Sequence, residues 1–169
     1  MVAASTARTL DFVRTAMPVT LMGPFGAALP STSDDAIAVG KAVVGGYGYE
    51  LLAREGDTAP EVTDGATFKS FPSLTMAGGG HGALFTAKLG GATTATDDAL
   101  FGVDSAGSLR LLLREGATTI GGKTVKTFAA LKAAAGSSGV ARNYNNNGDV
   151  VSLVTFTDGT TAIVMIALP

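Results

Sequence analysis

Short apolar runs bounded by glycine and small polar residues recur along the whole chain. Runs of four to eight residues that alternate or are aliphatic, such as residues 85–89, indicate strands. The extended apolar stretch at residues 161–168 predicts a strand buried on both faces. Only residues 127–135 have a helix-like composition, and Gly136 would end a helix there. For this segment the sequence leaves both a helical turn and a strand open. The pattern therefore predicts an all-β fold.

This pattern repeats with a period near sixty residues. Leu-Leu-Ala-Arg-Glu-Gly-Asp-Thr at residues 51–58 returns as Leu-Leu-Leu-Arg-Glu-Gly-Ala-Thr at residues 111–118. Weaker correspondences join residues 33–37 to 96–100, 25–29 to 85–89, 68–74 to 125–131, and 85–89 to 152–156. Loops of unequal length between them are what a repeat tolerates. The repeat therefore predicts units at approximately residues 1–56, 57–116 and 117–169, each built from four short strands.

The repeated segments resemble a known family. They are Leu-x-Ala-Arg-Glu-Gly-Asp-x-Ala-Pro at residues 51–60, Phe68, Phe71, a glycine-rich turn, and residues 85–89 and 97–100. Together they resemble bacterial tandem-repeat proteins with an Asn-x-x-Gly-x-x-x-Phe motif. Asn145 and Gly148 keep the first half of that motif, while Ser152 stands where Phe is expected, as in a short or truncated member. The resemblance implies propeller-like four-stranded blades and an exported or surface-attached protein, and it implies no general activity.

Residues 1–169 are expected to form a single all-β domain of two and a half to three such units. Each unit is a small sheet that cannot bury its faces alone, so neighbouring units must stack. Because propellers typically have about four to eight blades, either copies associate into a homo-oligomer or the units close in a trefoil-like or prism-like way. Uncovered edges at residues 21–29 or 163–168 would favour aggregation, and closure between the terminal strands would remove them.

Composition narrows the classes of partner. The net charge is −2 and the twelve basic residues are scattered, which argues against nucleic acid. The chain has no cysteine, so it has neither a thiolate metal site nor a cysteine nucleophile. It has no apolar run of about eighteen residues that would predict a membrane-spanning helix. Residues 15–29 make a poor signal-peptide core, so the expected extracytoplasmic or secreted location comes with no clear signal peptide.

Two pairs of neighbouring aspartates are the candidate metal ligands. Asp34 and Asp35 precede one strand, and Asp97 and Asp98 precede its repeat. Their oxygens are of the kind that Ca²⁺ prefers, although no EF-hand or nonapeptide calcium repeat is present. Aspartates also stabilise turns by hydrogen-bonding the backbone. The expectation is no cofactor, with Ca²⁺ as the alternative.

His81 is the candidate catalytic residue, and it stands in Gly-Gly-Gly-His-Gly at residues 78–82. A single histidine could act as a general base near neutral pH, and it could equally be an ordinary loop residue. If the protein is an enzyme, the pattern favours a Ca²⁺-dependent hydrolase for an ester or lactone, with Asp97 or Asp98 as ligand. Propellers in general host such lactonases, so this alternative is a fold-level analogy.

The most polar stretch of the chain is a candidate ligand-binding loop. Arg142, Tyr144, Asn145 and Asn147 combine an aromatic ring with amide groups, which suits recognition of a small molecule or a carbohydrate. The Arg-Glu-Gly elements occur twice, which indicates a structural role with Arg and Glu paired across neighbouring strands. The favoured hypothesis is therefore a non-enzymatic exported repeat module for ligand binding or self-assembly.

Overall fold

The computed structural model describes residues 16–21, 30–43, 46–76, 82–130 and 144–168, which form eleven β-strands and no helix. The strands are β1 (Ala16–Thr20), β2 (Asp35–Val43), β3 (Gly46–Arg54), β4 (Thr67–Met76), β5 (Ala83–Gly90), β6 (Asp98–Val103), β7 (Leu109–Arg114), β8 (Thr119–Ile120), β9 (Lys123–Ala130), β10 (Asp149–Phe156) and β11 (Thr161–Ala167). The all-β prediction is confirmed for this part of the chain. Within it, no helix is long and apolar enough to cross a membrane.

The strands form three antiparallel sheets, each a meander in which consecutive strands are neighbours. Sheet 1 has the order β1-β2-β3, sheet 2 the order β4-β5-β6-β7, and sheet 3 the order β11-β10-β9-β8. Short connections suit this topology because antiparallel neighbours need only a hairpin between them.

Sheet 2 lies between the other two sheets and buries both of its faces. Alternation along β5 points Phe85 to one side, where it shares a buried cluster with Ile37 of sheet 1. Leu84 and Leu100 point to the other side and share a second cluster with Val154 of sheet 3. Two separate apolar cores therefore hold the three sheets in a stack.

Four phenylalanines form the centre of the first core. Phe68 lies 5.5 Å from Phe71, 6.2 Å from Phe85 and 5.2 Å from Phe101, measured between ring centroids. Phe85 lies 5.6 Å from Phe101 in a stacked arrangement. Aromatic pairs at these separations attract each other beyond the effect of area burial alone.

Sheets 1 and 2 share their irregularities as well as their strand order. A register shift follows Ile37 in the β2 and β3 pairing, and the same shift follows Leu100 in the β6 and β7 pairing. The tight turns after β3 and β7 place Gly56 at φ 85° and Gly116 at φ 68°. A residue other than glycine rarely adopts this left-handed conformation. The expected equivalence of these two turns is confirmed.

The strand-end arginines also make equivalent contacts. The Nε–H of Arg54 donates to the Ser33 carbonyl at 3.2 Å, and that of Arg114 donates to the Thr96 carbonyl at 2.9 Å. The pairing of Arg with Glu was wrong for Arg114, however. Arg114 is buried and pairs with Asp64 at 2.7 Å.

The alignment of the first unit needs a correction. The Leu21 N–H donates to the Asp34 carbonyl, just as the Leu89 N–H donates to the Asp97 carbonyl at 2.7 Å. Leu21 therefore takes the place equivalent to Leu89, which the sequence comparison gave to Leu29. Phe25 and Leu29 themselves lie outside the described residues.

The strand expected at residues 161–168 is present but is not buried on both faces. β11 alternates, with Ile163 and Met165 exposed and Val164 half-buried. Among the described strands it pairs only with β10 and lies at the edge of sheet 3, and every second side chain along it is exposed. Residues 127–130 belong to β9, which excludes a helical turn there, and residues 131–135 lie outside the described part.

Candidate carboxylate site

Two aspartates and a glutamate meet at one end of sheet 2. β6 and β7 are antiparallel with Ala99 opposite Arg114, so the start of β6 lies beside the end of β7. The Glu115 N–H donates to the Asp98 carbonyl at 3.0 Å and fixes this approach. One carboxylate oxygen from each of Asp97, Asp98 and Glu115 lies within 4.8 Å of the others. These three residues are the carboxylate cluster.

A lysine from the neighbouring strand neutralises part of this charge. Lys88 of β5 stands opposite Asp98, and its Nζ lies 2.8 Å from Asp98 Oδ2 and 3.3 Å from Asp97 Oδ1. The hydrogen bond to Asp98 raises the pKa of Lys88, so the ammonium stays charged. The three oxygens could hold a hard cation such as Ca²⁺, but that cation would have to displace the ammonium.

Glu115 is the buried member of the cluster. Its side chain lines a cleft of about 410 Å³ between sheets 2 and 3, together with Gly116 and Val125. Burial raises the pKa of Glu115, and the nearby charge of Asp98 acts in the same direction. The cluster thus places a buried carboxylate with a raised pKa beside a small cleft, and this is the most chemically distinctive place among the described residues.

Sheet 1 repeats the backbone contact that underlies the carboxylate cluster. The Glu55 N–H donates to the Asp35 carbonyl at 3.0 Å, as Glu115 does to Asp98, so Asp34, Asp35 and Glu55 hold the corresponding backbone positions. Thr20 stands opposite Asp35, at the position that Lys88 holds in sheet 2. Glu55 is buried with no hydrogen-bond partner for its Oε2, and burial raises its pKa, with Asp35 and Asp34 adding to the effect.

Sheet 3 has no carboxylate at the corresponding pair of positions. The Phe156 N–H donates to the Thr160 carbonyl at 2.8 Å, which matches the contact from Leu89 to Asp97, so Thr160 and Thr161 replace the two aspartates. The four aspartates predicted as metal ligands therefore lie in two pairs on different sheets, and of these Asp97 and Asp98 belong to the carboxylate cluster.

The candidate sugar-binding loop is used for packing and turn formation where the structure describes it. Tyr144 is 1% exposed and lies in the second core, so its ring offers no surface for a ligand. The Asn145 Oδ1 accepts the N–H groups of Asn147 and Asp149 at 2.9 and 3.0 Å. Gly148 completes this turn at φ 85°. Tyr144 is therefore part of the core and Asn145 part of the turn, and ligand binding at this loop stays a prediction.

Asn147 is exposed, and it takes part in this turn through its backbone N–H. Arg142 and the candidate base His81 lie outside the described residues. Asp104 forms the same kind of turn as Asn145, with its Oδ1 accepting the N–H groups of Ala106 and Ser108 at 3.0 and 2.8 Å. An Asn or Asp three residues before a glycine is thus a turn signal in this chain.

Sequence reasoning missed Lys88 and Glu115 at the carboxylate cluster and Glu55 at the corresponding position in sheet 1. The glutamates carried a usable signal, since each follows an arginine at the end of a repeated strand. Lys88 carried none, because its proximity depends on the register between β5 and β6.

We expect Glu115→Gln to raise the melting temperature at pH 7 and to leave it nearly unchanged near pH 4. The raised pKa means that the folded state keeps the proton to higher pH than the unfolded chain. Stability therefore falls as pH rises from the unfolded pKa through the raised one, and the neutral amide removes that loss. Thermal unfolding followed by circular dichroism between pH 4 and pH 8 measures it.

Glu61→Gln is the control with the opposite sign. Hydrogen bonds from Arg110 and from the Leu111 N–H lower the pKa of Glu61. Its stabilisation is present at pH 7 and is lost as pH falls, so this variant should melt lower at pH 7. A lower melting temperature for Glu115→Gln at pH 7 would contradict a raised pKa of Glu115 in the folded state.

Comparison with known proteins gives one family match, and it covers most of the chain. No curated protein and no solved structure matches. A family model described as a family of unknown function, DUF7453, matches residues 25–169. The match includes sheets 2 and 3 and strands β2 and β3 of sheet 1. The chain therefore belongs to this family of unknown function, DUF7453.

Proposed function

We propose that the chain is a non-enzymatic repeat module that works by association, with each sheet acting as one blade-like unit of a stack. The sandwiched position of sheet 2 carries this proposal, since both of its faces are buried by neighbouring sheets. Repeat proteins gain their stability in this way, because each unit contacts only the units next to it.

The repeated contacts support the same reading. The register shift, the glycine turn and the arginine contact recur in sheets 1 and 2 with the same partners. Side chains that recur from unit to unit usually define the unit, whereas catalysis needs one constellation in one place. The carboxylates recur as well, which favours a structural role for them.

The proposal includes the resemblance to the Asn-x-x-Gly-x-x-x-Phe proteins, and with it an exported or surface location. The turn at Asn145 and Gly148 supplies a physical reason for the first half of that motif. The asparagine side chain caps the turn, and glycine adopts the positive φ that it requires.

The alternative is a Ca²⁺-dependent hydrolase for an ester or lactone, which one observation favours. The carboxylate cluster adjoins the cleft lined by Glu115, and three oxygens close together can hold Ca²⁺. The ammonium of Lys88 weighs against it, since it already neutralises Asp97 and Asp98.

Hydrolysis of a panel of esters and lactones, with Ca²⁺ and with EDTA, separates the two functions. We expect no turnover above the buffer rate in either condition. The double variant Asp97→Asn, Asp98→Asn is the matched control, since it removes the charge of two ligands with little change in shape. Turnover that requires Ca²⁺ and disappears in the double variant would overturn the non-enzymatic proposal.

A further inference from the structure

Among the described residues, no other sheet packs on the outer face of sheet 1 or of sheet 3. Sheet 3 directs Val154 and Phe156 towards sheet 2 and directs Leu153, Ile163 and Met165 away from it. These three side chains are 40%, 71% and 69% exposed. Leu153 lies opposite Ile163 in the register, and Val151 lies opposite Met165, so the apolar side chains adjoin one another. They define the open face of sheet 3.

This open face corresponds to a face that is covered elsewhere in the chain. Thr160 takes the place of Asp97, as the matching backbone hydrogen bonds show, so Ile163 three residues later takes the place of Leu100. Leu100 is 1% exposed, because sheet 3 covers it. The open face of sheet 3 is thus the counterpart of the face with which sheet 2 receives its neighbour.

The outer face of sheet 1 corresponds to the face of sheet 2 that packs on sheet 1. Tyr49 and Leu51 of β3 are 69% and 51% exposed, and they define the open face of sheet 1. Leu51 stands opposite Ala38 just after the register shift, as Leu111 stands opposite Phe101 in sheet 2. Leu51 therefore corresponds to Leu111. Leu109 and Leu111 pack against the core between sheets 1 and 2.

We propose that the open face of sheet 3 binds the open face of sheet 1 of a second copy of this chain, head to tail. The inference rests on the proposed function, in which sheets are stacking units. The new contact would repeat the one between sheets 2 and 3, and it would bury large apolar side chains that are now in water. A contact between two different faces closes into a ring or continues as a filament.

A second copy fits these faces better than an isologous pair of sheet 3 faces. The chain contains two contacts between sheets, one between sheets 1 and 2 and one between sheets 2 and 3. Each contact packs two different faces against each other. A symmetric contact would pack two faces of the same kind against each other, an arrangement with no counterpart among the described sheets.

Sedimentation velocity over a range of protein concentrations tests this contact with two variants. Ile163→Glu places a charge in the open face of sheet 3, and Leu51→Glu places one in the open face of sheet 1. We expect the wild type to associate as concentration rises and each variant to remain monomeric. An equimolar mixture should form dimers only, because one variant keeps the first face and the other keeps the second.

Ala106→Glu is the matched control, since it adds the same charge on an exposed turn and should associate like the wild type. Near-ultraviolet circular dichroism confirms that each variant is folded, and Met165→Glu replaces Ile163→Glu if the latter is not. A monomeric wild type, a mixture that stays monomeric, or a Leu51→Glu variant that associates normally would each overturn the head-to-tail contact.

The two proposals fail in different ways. A monomeric protein without turnover would overturn this contact and leave a repeat module with another kind of partner. A Ca²⁺-dependent hydrolase that still associates through these faces would overturn the non-enzymatic proposal alone.

Discussion

Replacing Phe85 by alanine is expected to lower the free energy of unfolding by about 3 to 5 kcal/mol, the usual cost of deleting a large buried aromatic side chain. Phe85 is 1% exposed, and its ring lies between those of Phe71 and Phe101 at 5.7 and 5.6 Å. The cavity would open in the core that joins sheets 1 and 2, so the loss should extend beyond one strand.

Urea unfolding followed by circular dichroism measures this loss. Phe71→Ala is the matched control, because it removes the same ring from a half-buried position in the same aromatic group. The control should cost less, since the removed ring is already partly in water. Equal losses, or a loss below about 1 kcal/mol for Phe85→Ala, would show that the core collapses around the missing ring.

The sequence predicted the strands well and their surroundings less well. Residues 85–89 and 161–167 are strands, as the apolar runs indicated. Whether such a run is covered on one face or on both depends on the neighbouring sheet, which the run itself does not encode. This is why β5, which has a sheet on either side, is buried, while the more apolar β11 leaves Ile163 exposed.

The misplaced first unit has a similar physical cause. Sequence comparison at a fixed offset paired residues 25–29 with 85–89, because both segments contain Phe and Leu four positions apart. The backbone hydrogen bond from Leu21 to Asp34 instead shows that Leu21 corresponds to Leu89. The connection between β1 and β2 is therefore longer than the one between β5 and β6. Loop length is weakly constrained by stability, so it drifts while strand contacts are kept.

The candidate site was predictable only in part. Asp97 and Asp98 were identified because they are adjacent and repeated, and the structure adds Glu115 from the end of the next strand. The partner that decides their chemistry, Lys88, comes from a strand on the other side. A cluster assembled from three strand ends requires the register of each pair, which composition and spacing do not supply.

Gly116→Ala is expected to destabilise the protein by about 1 to 3 kcal/mol more than Gly56→Ala, the usual cost of forcing extra atoms into a packed site. Both glycines have positive φ, so alanine at either position bears the cost of the left-handed conformation, about 1 to 2 kcal/mol. The surroundings differ. A Cβ on Gly116 would lie 2.7 Å from the Ala95 carbonyl oxygen and 2.7 Å from Thr96 Cγ2, whereas one on Gly56 would have its nearest contact at 3.6 Å.

The pair of variants separates backbone conformation from close approach, because the first cost is common to both and the second belongs to Gly116 alone. The Ala95 oxygen belongs to the backbone of the loop before Asp97, so relieving the contact would move the chain that leads into the carboxylate cluster. Urea unfolding of both variants measures the difference in free energy. Equal losses would mean that the loop yields at little cost, and the tight packing of sheet 2 against this turn would then contribute nothing to stability.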